Sequence, residues 1–265
     1  MADFIEAEPL RRDPTYAVTI LRTPLRPAVR LPQGWFHNVQ GPVFGQIKVQ
    51  PIDSDLTAHG AGEPIGARIL IFGRVTDSDG RPVRNSLIEI WQANSAGGYI
   101  DSLDVSGFPL DPNFRGAGRC LTDDDGNYSF LSIKPGAYPA FYAPGYQAWR
   151  AAHVHFSIFG PGFESRLVTQ MYFEGDPLLA QDRFVVGIPD ARGRDALVAK
   201  LDAARSISNS FGPPRLVATP DGAGTLVQPP KRSDPGALRA NPSALAYRFD
   251  IVLRGRGATP FEDKA

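Results

Sequence analysis

Two histidines stand two residues apart in the apolar run Ala152-His153-Val154-His155-Phe156. Such a run is typical of a β-strand, in which side chains alternate between faces, so the two imidazoles point to the same side. Imidazoles so placed can share one metal ion, and Fe, Zn, Cu and Ni all accept this ligand. The spacing therefore indicates a transition-metal site, and a pair of ordinary half-buried histidines is the alternative that the motif leaves open.

Two imidazoles hold a transition metal weakly, so further ligands should exist in the chain. Zinc sites usually add cysteine or a third histidine, but Cys120 is the only cysteine, and His37 and His59 lie in an irregular N-terminal stretch. A carboxylate from Glu174 or Asp176 is a further candidate, although the sequence around them is typical of a turn. We expect Cys120 itself to be a buried or idle thiol.

Tyrosine is the other candidate ligand. Tyr99 follows a Gly-Gly pair just beyond a predicted strand, and Tyr138 lies in the sequence Pro-Gly-Ala-Tyr-Pro beyond another. A free phenol, with a pKa of about 10, is a poor ligand. A ferric ion is acidic enough to deprotonate it and prefers the resulting oxygen anion. Each tyrosine taken singly is also compatible with an aromatic side chain that anchors a loop.

The elements that must position these residues are predicted to be strands. Gly (27) and Pro (25) are abundant, and short β-rich runs between turn residues are typical of a sandwich or barrel. We therefore predict an all-β fold, a β-sandwich of mainly antiparallel strands with long loops. The candidate strands are residues 68–76, 86–93, 127–133, 153–159, 167–173 and 246–253.

One short helix and two acidic turns complete the predicted elements. Leu197, Val198 and Leu201 recur at helical spacing, which predicts a helix over residues 195–205 that docks on the sheet. Residues 77–82 and 123–127 are expected to be turns only, because they lack the spacing and the closing Glu of a calcium loop.

Two stretches fit neither strand nor helix. Residues 1–64 are Pro-rich, and we expect them to form an N-terminal irregular arm that belongs to the same unit and wraps around the core or reaches a neighbouring subunit. Residues 65–265 would then form the sandwich domain. This domain carries a Pro/Gly-rich insertion at about 206–242, since strand-like sequence resumes at Ala246. Unstructured loops of that length are uncommon unless they are functional or disordered.

Charge and hydropathy exclude several classes of function. The 28 basic residues balance 28 acidic ones, so no general field favours nucleic acid or an anionic membrane. No run of about 18 apolar residues occurs, and we see no signal peptide at the N-terminus. A single cysteine fits a reducing compartment. We therefore expect a cytoplasmic protein with no membrane or nucleic-acid partner.

Several motifs, in the expected order, resemble those of the intradiol ring-cleaving dioxygenases. They are residues 88–94 (IEIWQAN), 110–114 (LDPNF), 118–123 (GRCLTD) and 149–156 (WRAAHVHF). Residues 169–177 (TQMYFEGDP) and 246–255 (AYRFDIVLRG) are similar to the iron-carrying β subunits of the protocatechuate-cleaving branch of this family. The resemblance runs from about 65 to 204 and from about 244 to 256, with a looser match around 13–24.

The resemblance implies a non-haem Fe(III) site with two tyrosinates and two histidines. Carried over by motif, these ligands would be Tyr99, Tyr138, His153 and His155. Tyr138 matches the axial ligand, which in the family also accepts a proton from the catechol. The metal would act as a Lewis acid, and both atoms of O2 would enter between the two hydroxylated carbons to give a cis,cis-muconate.

Further residues match positions around the family's active site. Arg150, three residues before the histidine pair, matches an arginine that stabilises negative charge on the ring. Gln170 and Tyr172 match positions that orient ligands and substrate through hydrogen bonds. Tyr16 matches a tyrosine that helps to recognise a substrate carboxylate, and Trp91 is expected to pack beside the site.

The chain departs from the family pattern near Tyr138. Ala140-Phe141 stands where the β subunit carries a tryptophan, and two additional residues before the histidine pair make Tyr142 and Tyr146 rival ligands. The insertion at about 206–242 is also foreign to that subunit. These departures leave the substrate and the assembly open.

The expected reaction is protocatechuate to 3-carboxy-cis,cis-muconate, with O2 as co-substrate. Intradiol cleavage of another diol (hydroxyquinol, gallate or a substituted catechol) is the alternative. A metal-free structural subunit of the family's α type is a further one. The implied partners are a catecholic small molecule and either an α-type partner subunit or further copies of the chain in a homo-oligomer.

Overall fold

Strands dominate the computed structural model, which describes residues 48–100, 107–143, 146–160, 166–208, 215–217, 225–227, 244–253 and 257–260. The strands are β1 (Arg68–Thr76), β2 (Leu87–Gln92), β3 (Ala117–Leu121), β4 (Asn127–Ile133), β5 (Tyr138–Ala143), β6 (Tyr146–Arg150), β7 (His153–Phe159), β8 (Arg166–Phe173), β9 (Val198–Asp202), β10 (Arg215–Val217), β11 (Thr225–Val227), β12 (Leu245–Arg248) and β13 (Ile251–Val252). Short helices are α1 (Arg183–Val186), α2 (Ala191–Ala196) and α3 (Ala203–Ser208), and 3-10 turns cover Pro51–Ser54 and Pro177–Ala180.

Nine of these strands form one sheet in the order β13-β1-β12-β9-β8-β7-β2-β3, with β4 paired to β1. The hairpins β5-β6 and β10-β11 form two separate two-stranded sheets. Most neighbours are antiparallel, and the parallel pairs are β1 with β12, β1 with β13 and β8 with β9. The prediction of an all-β fold with mainly antiparallel strands is confirmed.

The main core lies between the β1-β4 part of the sheet and the β2-β7-β8 part. Phe156 of β7 is fully buried, and its ring centroid lies 5.9 Å from that of Tyr128 and 6.4 Å from that of Phe130, both in β4. Phe249, just after β12, closes the cluster at 5.2 Å from Phe156. Side chains that alternate along strands thus pack one part of the sheet on the other, as in a sandwich.

The predicted strands agree closely with the observed ones where apolar residues are dense. Strands β1, β4 and β7 have the predicted bounds. Strand β2 is one residue shorter than predicted at each end, and β8 begins one residue earlier than predicted. The predicted strand 246–253 is split into β12 and β13, which both pair with β1; at the break, a side-chain oxygen of Asp250 bonds to β1 in place of a backbone carbonyl. The Phe249 amide donates to Phe72 O at 2.8 Å, and Asp250 Oδ1 accepts from the Arg74 amide at 3.0 Å.

Both acidic turns are observed as turns. Gly80 donates its amide to Asp77 O at 3.1 Å, and Gly126 donates to Asp123 O at 3.0 Å. Both glycines have a positive φ, 77° and 78°, a conformation that glycine adopts without steric cost. The carboxylates accept from amides within their own turns, which is the ordinary role of aspartate there.

The predicted helix over residues 195–205 is wrong. Helix α2 ends at Ala196, and β9 then lies between β8 and β12 before α3 begins at Ala203. Pairing with two strands outweighs the helical spacing, since local propensity is a weak preference. Ala199 is fully buried in β9 and its carbonyl accepts from the Glu174 amide at 3.1 Å, whereas Leu201, part of the predicted apolar stripe, is 46% exposed.

Residues 48–64 pack against the sheet. Leu56 is fully buried in the main core, and Asp53 forms an ion pair of 2.9 Å with Arg119 of β3. The predicted domain boundary at residue 64 remains a prediction, as does the arm itself, since residues 1–47 lie outside the described part. Of the predicted insertion at 206–242, the structure describes only residues 206–208, β10 and β11.

Helices within the described ranges are all short. In those ranges, none is long and apolar enough to cross a membrane.

Cys120 should be an unreactive thiol in the folded protein. It lies in β3 and packs against the main core, and burial raises its pKa to about 12. Since the thiolate is the nucleophile, we expect Ellman's reagent at pH 8 to modify native Cys120 on the order of 10³-fold more slowly than the urea-unfolded chain. Rapid stoichiometric labelling of the native protein would contradict this expectation.

Candidate metal centre

Strand β7 presents His153 and His155 on one face, as their spacing predicts. Both are buried, and their ring centroids lie 4.8 Å apart. In the register with β8, His153 lies opposite Tyr172 and His155 opposite Gln170. On the other side, Trp91 of β2 lies opposite His155. The pairing of β7 on both edges therefore fixes the position of the histidine pair and of three predicted neighbours.

The two predicted tyrosines converge on the same imidazole. The Tyr99 hydroxyl lies 3.5 Å from His153 Nε2, and the Tyr138 hydroxyl lies 3.3 Å from it. The two phenol rings meet edge to face, with centroids 5.4 Å apart, and the Tyr99 ring lies 6.2 Å from that of His155. The structure thus brings together four side chains, although Tyr99 and His153 are 54 residues apart in the sequence.

Close packing of two glycine-containing loops brings the tyrosines together. A Cβ on Gly136 would lie 2.5 Å from Ser95 O, and one on Gly97 would lie 2.7 Å from Ala137 O. Any side chain at either glycine would force these backbones apart. The loops are also joined by a hydrogen bond of 2.9 Å from the Gly136 amide to Asn94 O. The Gly-Gly pair and the Pro-Gly-Ala-Tyr-Pro sequence therefore serve the same contact.

His153 has the protonation state that a metal ligand needs. Its Nδ1 lies 2.6 Å from Ala151 O; since a carbonyl only accepts, Nδ1 carries the proton and Nε2 keeps its lone pair. Burial, followed by the charge of Arg150 and by His155, holds the pKa of His153 well below its usual 6.5. The imidazole is therefore neutral, with Nε2 aimed at the two phenols.

Trp91 fixes the plane of the second imidazole. Its indole stacks on His155 with ring centroids 4.8 Å apart and an interplanar angle of 3°. The structure places Trp91 beside the candidate centre, where the sequence also put it.

Arg150 lies at the end of β6 and is buried, with 1% of its surface exposed. Its Nε donates to Asp182 Oδ2 at 3.0 Å, and its Nη2 donates to Gln170 Oε1 and, at 3.0 Å, to the Tyr172 hydroxyl. The Tyr172 hydroxyl donates in turn to Gln170 Oε1 at 2.7 Å. The guanidinium carbon lies 4.1 Å from the centre of the Phe184 ring. The charge is thus paired, hydrogen-bonded and stacked.

The carboxylates considered as ligands have other roles. Asp176 accepts from the Leu178 amide at 2.9 Å and from the Ala152 amide at 3.2 Å, so it caps a 3-10 turn and holds the chain just before β7. Glu174 binds Lys200 and the Leu201 amide at the surface. No group of three or more His, Cys, Asp or Glu that suits a metal occurs in the part of the chain that is described.

Asp182 contacts Arg150 but carries no signal in the sequence. It lies 32 residues beyond Arg150, in a Gln-Asp-Arg segment that reads as an ordinary helix start. Four other candidates cannot be placed. Tyr16 and His37 lie outside the described residues, and the side chains of Tyr142 and Tyr146 are likewise not described.

Comparison with known proteins gives a consistent result. A family profile described as "Dioxygenase" matches residues 39–255. The protocatechuate 3,4-dioxygenase β chain of Burkholderia cepacia is 46% identical over 251 residues, which cover 94% of this chain and 91% of that one. The 6-chlorohydroxyquinol 1,2-dioxygenase of Cupriavidus pinatubonensis is 36% identical over 155 residues, 53% of this chain and 52% of that protein.

One solved structure that aligns in part with this chain is that of 3-chlorocatechol 1,2-dioxygenase from Rhodococcus opacus 1CP. It aligns with 81% of this chain and 70% of its own, with a TM-score of 0.49 and 21% sequence identity.

Removal of the Tyr172 hydroxyl should destabilise the protein. In Tyr172→Phe, the Arg150 guanidinium and the Gln170 amide each lose a buried hydrogen-bond partner. Because one of these is charged, we expect the free energy of unfolding in urea to fall by about 1.5–3 kcal/mol. A matched control is Tyr128→Phe, which removes a buried hydroxyl that donates to Phe249 O and should cost about 0.5–1.5 kcal/mol. A Tyr172→Phe variant as stable as the wild type would contradict the expectation.

Proposed function

The chain belongs to the intradiol dioxygenase family, and on that premise we propose that it cleaves protocatechuate with a non-haem Fe(III) ion. The proposed ligands are Tyr99, Tyr138, His153 and His155. The single observation that carries this assignment is the convergence of both phenol oxygens on His153 Nε2, at 3.3 and 3.5 Å. The two phenols come from outside β7 and the two imidazoles from β7 itself, and each of the four side chains is of a type that ferric iron accepts.

The donor set fits a ferric ion better than zinc. Two phenolates would supply hard anionic oxygens, and two imidazoles would supply borderline nitrogens. The sole thiol, Cys120, has a pKa of about 12 and packs against the core instead. When bound, the ferric ion would supply Lewis acidity that draws electron density from the catechol ring and so prepares the ring for reaction with O2.

The chain's own residues would bind, orient and deprotonate the substrate. Tyr138, as a phenolate, would accept one of the two catechol protons at its oxygen and become a neutral phenol. Arg150, three residues before the start of β7 and held in a low-dielectric environment, would stabilise the negative charge that develops on the ring. Gln170 and Tyr172 hold the guanidinium on one side, and they are proposed to contact the substrate with Trp91.

Protocatechuate is proposed as the substrate because the similarity to the Burkholderia cepacia β chain spans nearly the whole of both chains. The product would be 3-carboxy-cis,cis-muconate. Tyr16 would contact the substrate carboxylate. Cleavage of another diol, such as hydroxyquinol, gallate or a substituted catechol, is the alternative, and the altered stretch around Ala140 motivates it.

Assembly with a partner is part of the same proposal. The similar protein is named as a β chain, so we propose that this chain associates with an α-type subunit or with further copies of itself in the cytoplasm. A metal-free α-like role is the less favoured reading, because all four donor side chains are present and meet.

A panel of catechols tests the substrate. Oxygen uptake by the iron-loaded protein should be fastest with protocatechuate, and product spectra should show cleavage between the hydroxylated carbons. Catechol and hydroxyquinol, which lack the carboxylate, serve as matched controls. Faster oxygen uptake with an uncarboxylated ring would show that the substrate is another diol. Extradiol products, or a complete lack of oxygen uptake, would overturn the proposed reaction itself.

Substitution of the tyrosines tests the ligand set. The iron-loaded wild type should be red-brown, since tyrosinate-to-iron charge transfer absorbs visible light. Tyr99→Phe and Tyr138→Phe each remove one phenolate, so we expect a changed or lost visible band, less bound iron by metal analysis and at least about 10²-fold lower activity. Tyr128→Phe, in the core, should keep colour and iron. Unchanged spectra in both ligand variants would exclude these tyrosines.

A further inference from the structure

Asp182 is a fully buried carboxylate with three donors. Its Oδ1 accepts from the Phe184 amide at 3.0 Å, which makes it the N-cap of α1. Its Oδ2 accepts from Arg150 Nε at 3.0 Å and from the Ala151 amide at 2.9 Å. None of its surface is exposed. One carboxylate thus joins α1 to the last residue of β6 and to the residue that follows it.

The contact with Arg150 sets the direction of the guanidinium. The Nε edge faces Asp182, and Nη2 faces Gln170 and Tyr172, so the planar group is held at two ends. Phe184, two residues after Asp182, covers its face at 4.1 Å. A planar guanidinium that is fixed at two edges and stacked on a ring has little freedom to rotate.

The contact with Ala151 leads to the histidines. The Ala151 amide donates to Asp182, and the Ala151 carbonyl accepts from His153 Nδ1 at 2.6 Å. The residue that orients the His153 ring is therefore itself held by the same carboxylate. Hydrogen bonds of this kind behind a ligand fix its ring orientation.

We propose that Asp182, together with Phe184, is a positioning element for ring cleavage: it holds Arg150 toward the substrate and Ala151 behind His153. This inference rests on the function proposed above and adds residues outside the predicted site. Asp182 touches neither substrate nor metal in this role; it acts through Arg150 and Ala151.

Capping alone does not account for these contacts. Asp190 caps α2 in the same way, with its Oδ1 accepting from the Arg192 amide at 2.9 Å, and it also pairs with the Arg192 guanidinium at 2.7 Å. That arginine side chain is 64% exposed. Two capping aspartates among the described residues therefore have an arginine partner, one buried at the candidate centre and one at the surface.

The test compares Asp182→Asn with Asp190→Asn in the full-length, iron-loaded protein. Asparagine still offers an oxygen to an amide but loses the charge that pairs with Arg150. For the catechol that the wild type turns over best, we expect kcat per bound iron to fall about 10–100-fold in Asp182→Asn, with a shifted tyrosinate-to-iron band. In Asp190→Asn, kcat per bound iron should stay within about twofold of the wild-type value and the band should not shift, since the Asp190 ion pair is exposed.

A double-mutant cycle separates positioning from mere stability. If Asp182 acts on turnover through Arg150, Asp182→Asn should lower kcat little further in an Arg150→Gln background. The band shift should persist there, because it arises through Ala151. Fully additive losses of kcat, or an Asp182→Asn variant with a lower melting temperature but unchanged kcat and spectrum, would overturn the inference.

If Asp182→Asn does not fold, the variant Phe184→Leu tests whether this element positions Arg150. It keeps Asp182 but removes the ring under the guanidinium, and we expect kcat to fall about threefold to tenfold with unchanged iron content. An unchanged kcat in this variant would overturn the inference. Wild-type protein that cleaves no catechol would instead refute the proposed function, and this outcome is distinct because it does not depend on residue 182.

Discussion

The pairing of β7 with β2 on one edge and β8 on the other is the constraint on which the candidate centre depends. Every side chain of β7 is buried, so one face must carry apolar residues and the other must satisfy two imidazoles. The register places Trp91, Gln170 and Tyr172 around those imidazoles. A shift by one residue would turn His153 and His155 into the core and Phe156 toward the site, which the packing of Phe156 forbids.

Contacts outside the sheet then complete the centre. Tyr99 and Tyr138, the first residue of β5, each follow a loop, and the two loops approach closely only because Gly97 and Gly136 lack side chains. The arginine arrives on the hairpin β5-β6, where Arg150 lies opposite Tyr138. A buried guanidinium is costly without a partner, and Asp182 supplies one from a helix that follows β8. The sheet thus positions the imidazoles, the loops bring the tyrosines close, and the start of the helix supplies the partner of the arginine.

Local sequence patterns were sufficient for several features. The β-rich runs between turn residues predicted β1, β4 and β7 with their observed bounds. The alternation of side chains along a strand placed both histidines on one face, because strand geometry is set within a few residues. The two acidic turns that contain glycine were also predicted from the local sequence. The resemblance to the family added Tyr99, Tyr138 and Arg150, which spacing alone did not connect.

Tertiary structure decided what depends on distant partners. The sequence at residues 198–202 has helical spacing, yet it forms β9, because β8 and β12 offer backbone groups that only the folded chain brings near. Asp182 has no local mark, since its role comes from Arg150, 32 residues away. By itself the sequence determined the strands β1, β4 and β7, the two acidic turns and the types of side chain available for chemistry. Only the fold decided which of them meet, because contact between distant residues is fixed by packing and not by spacing along the chain.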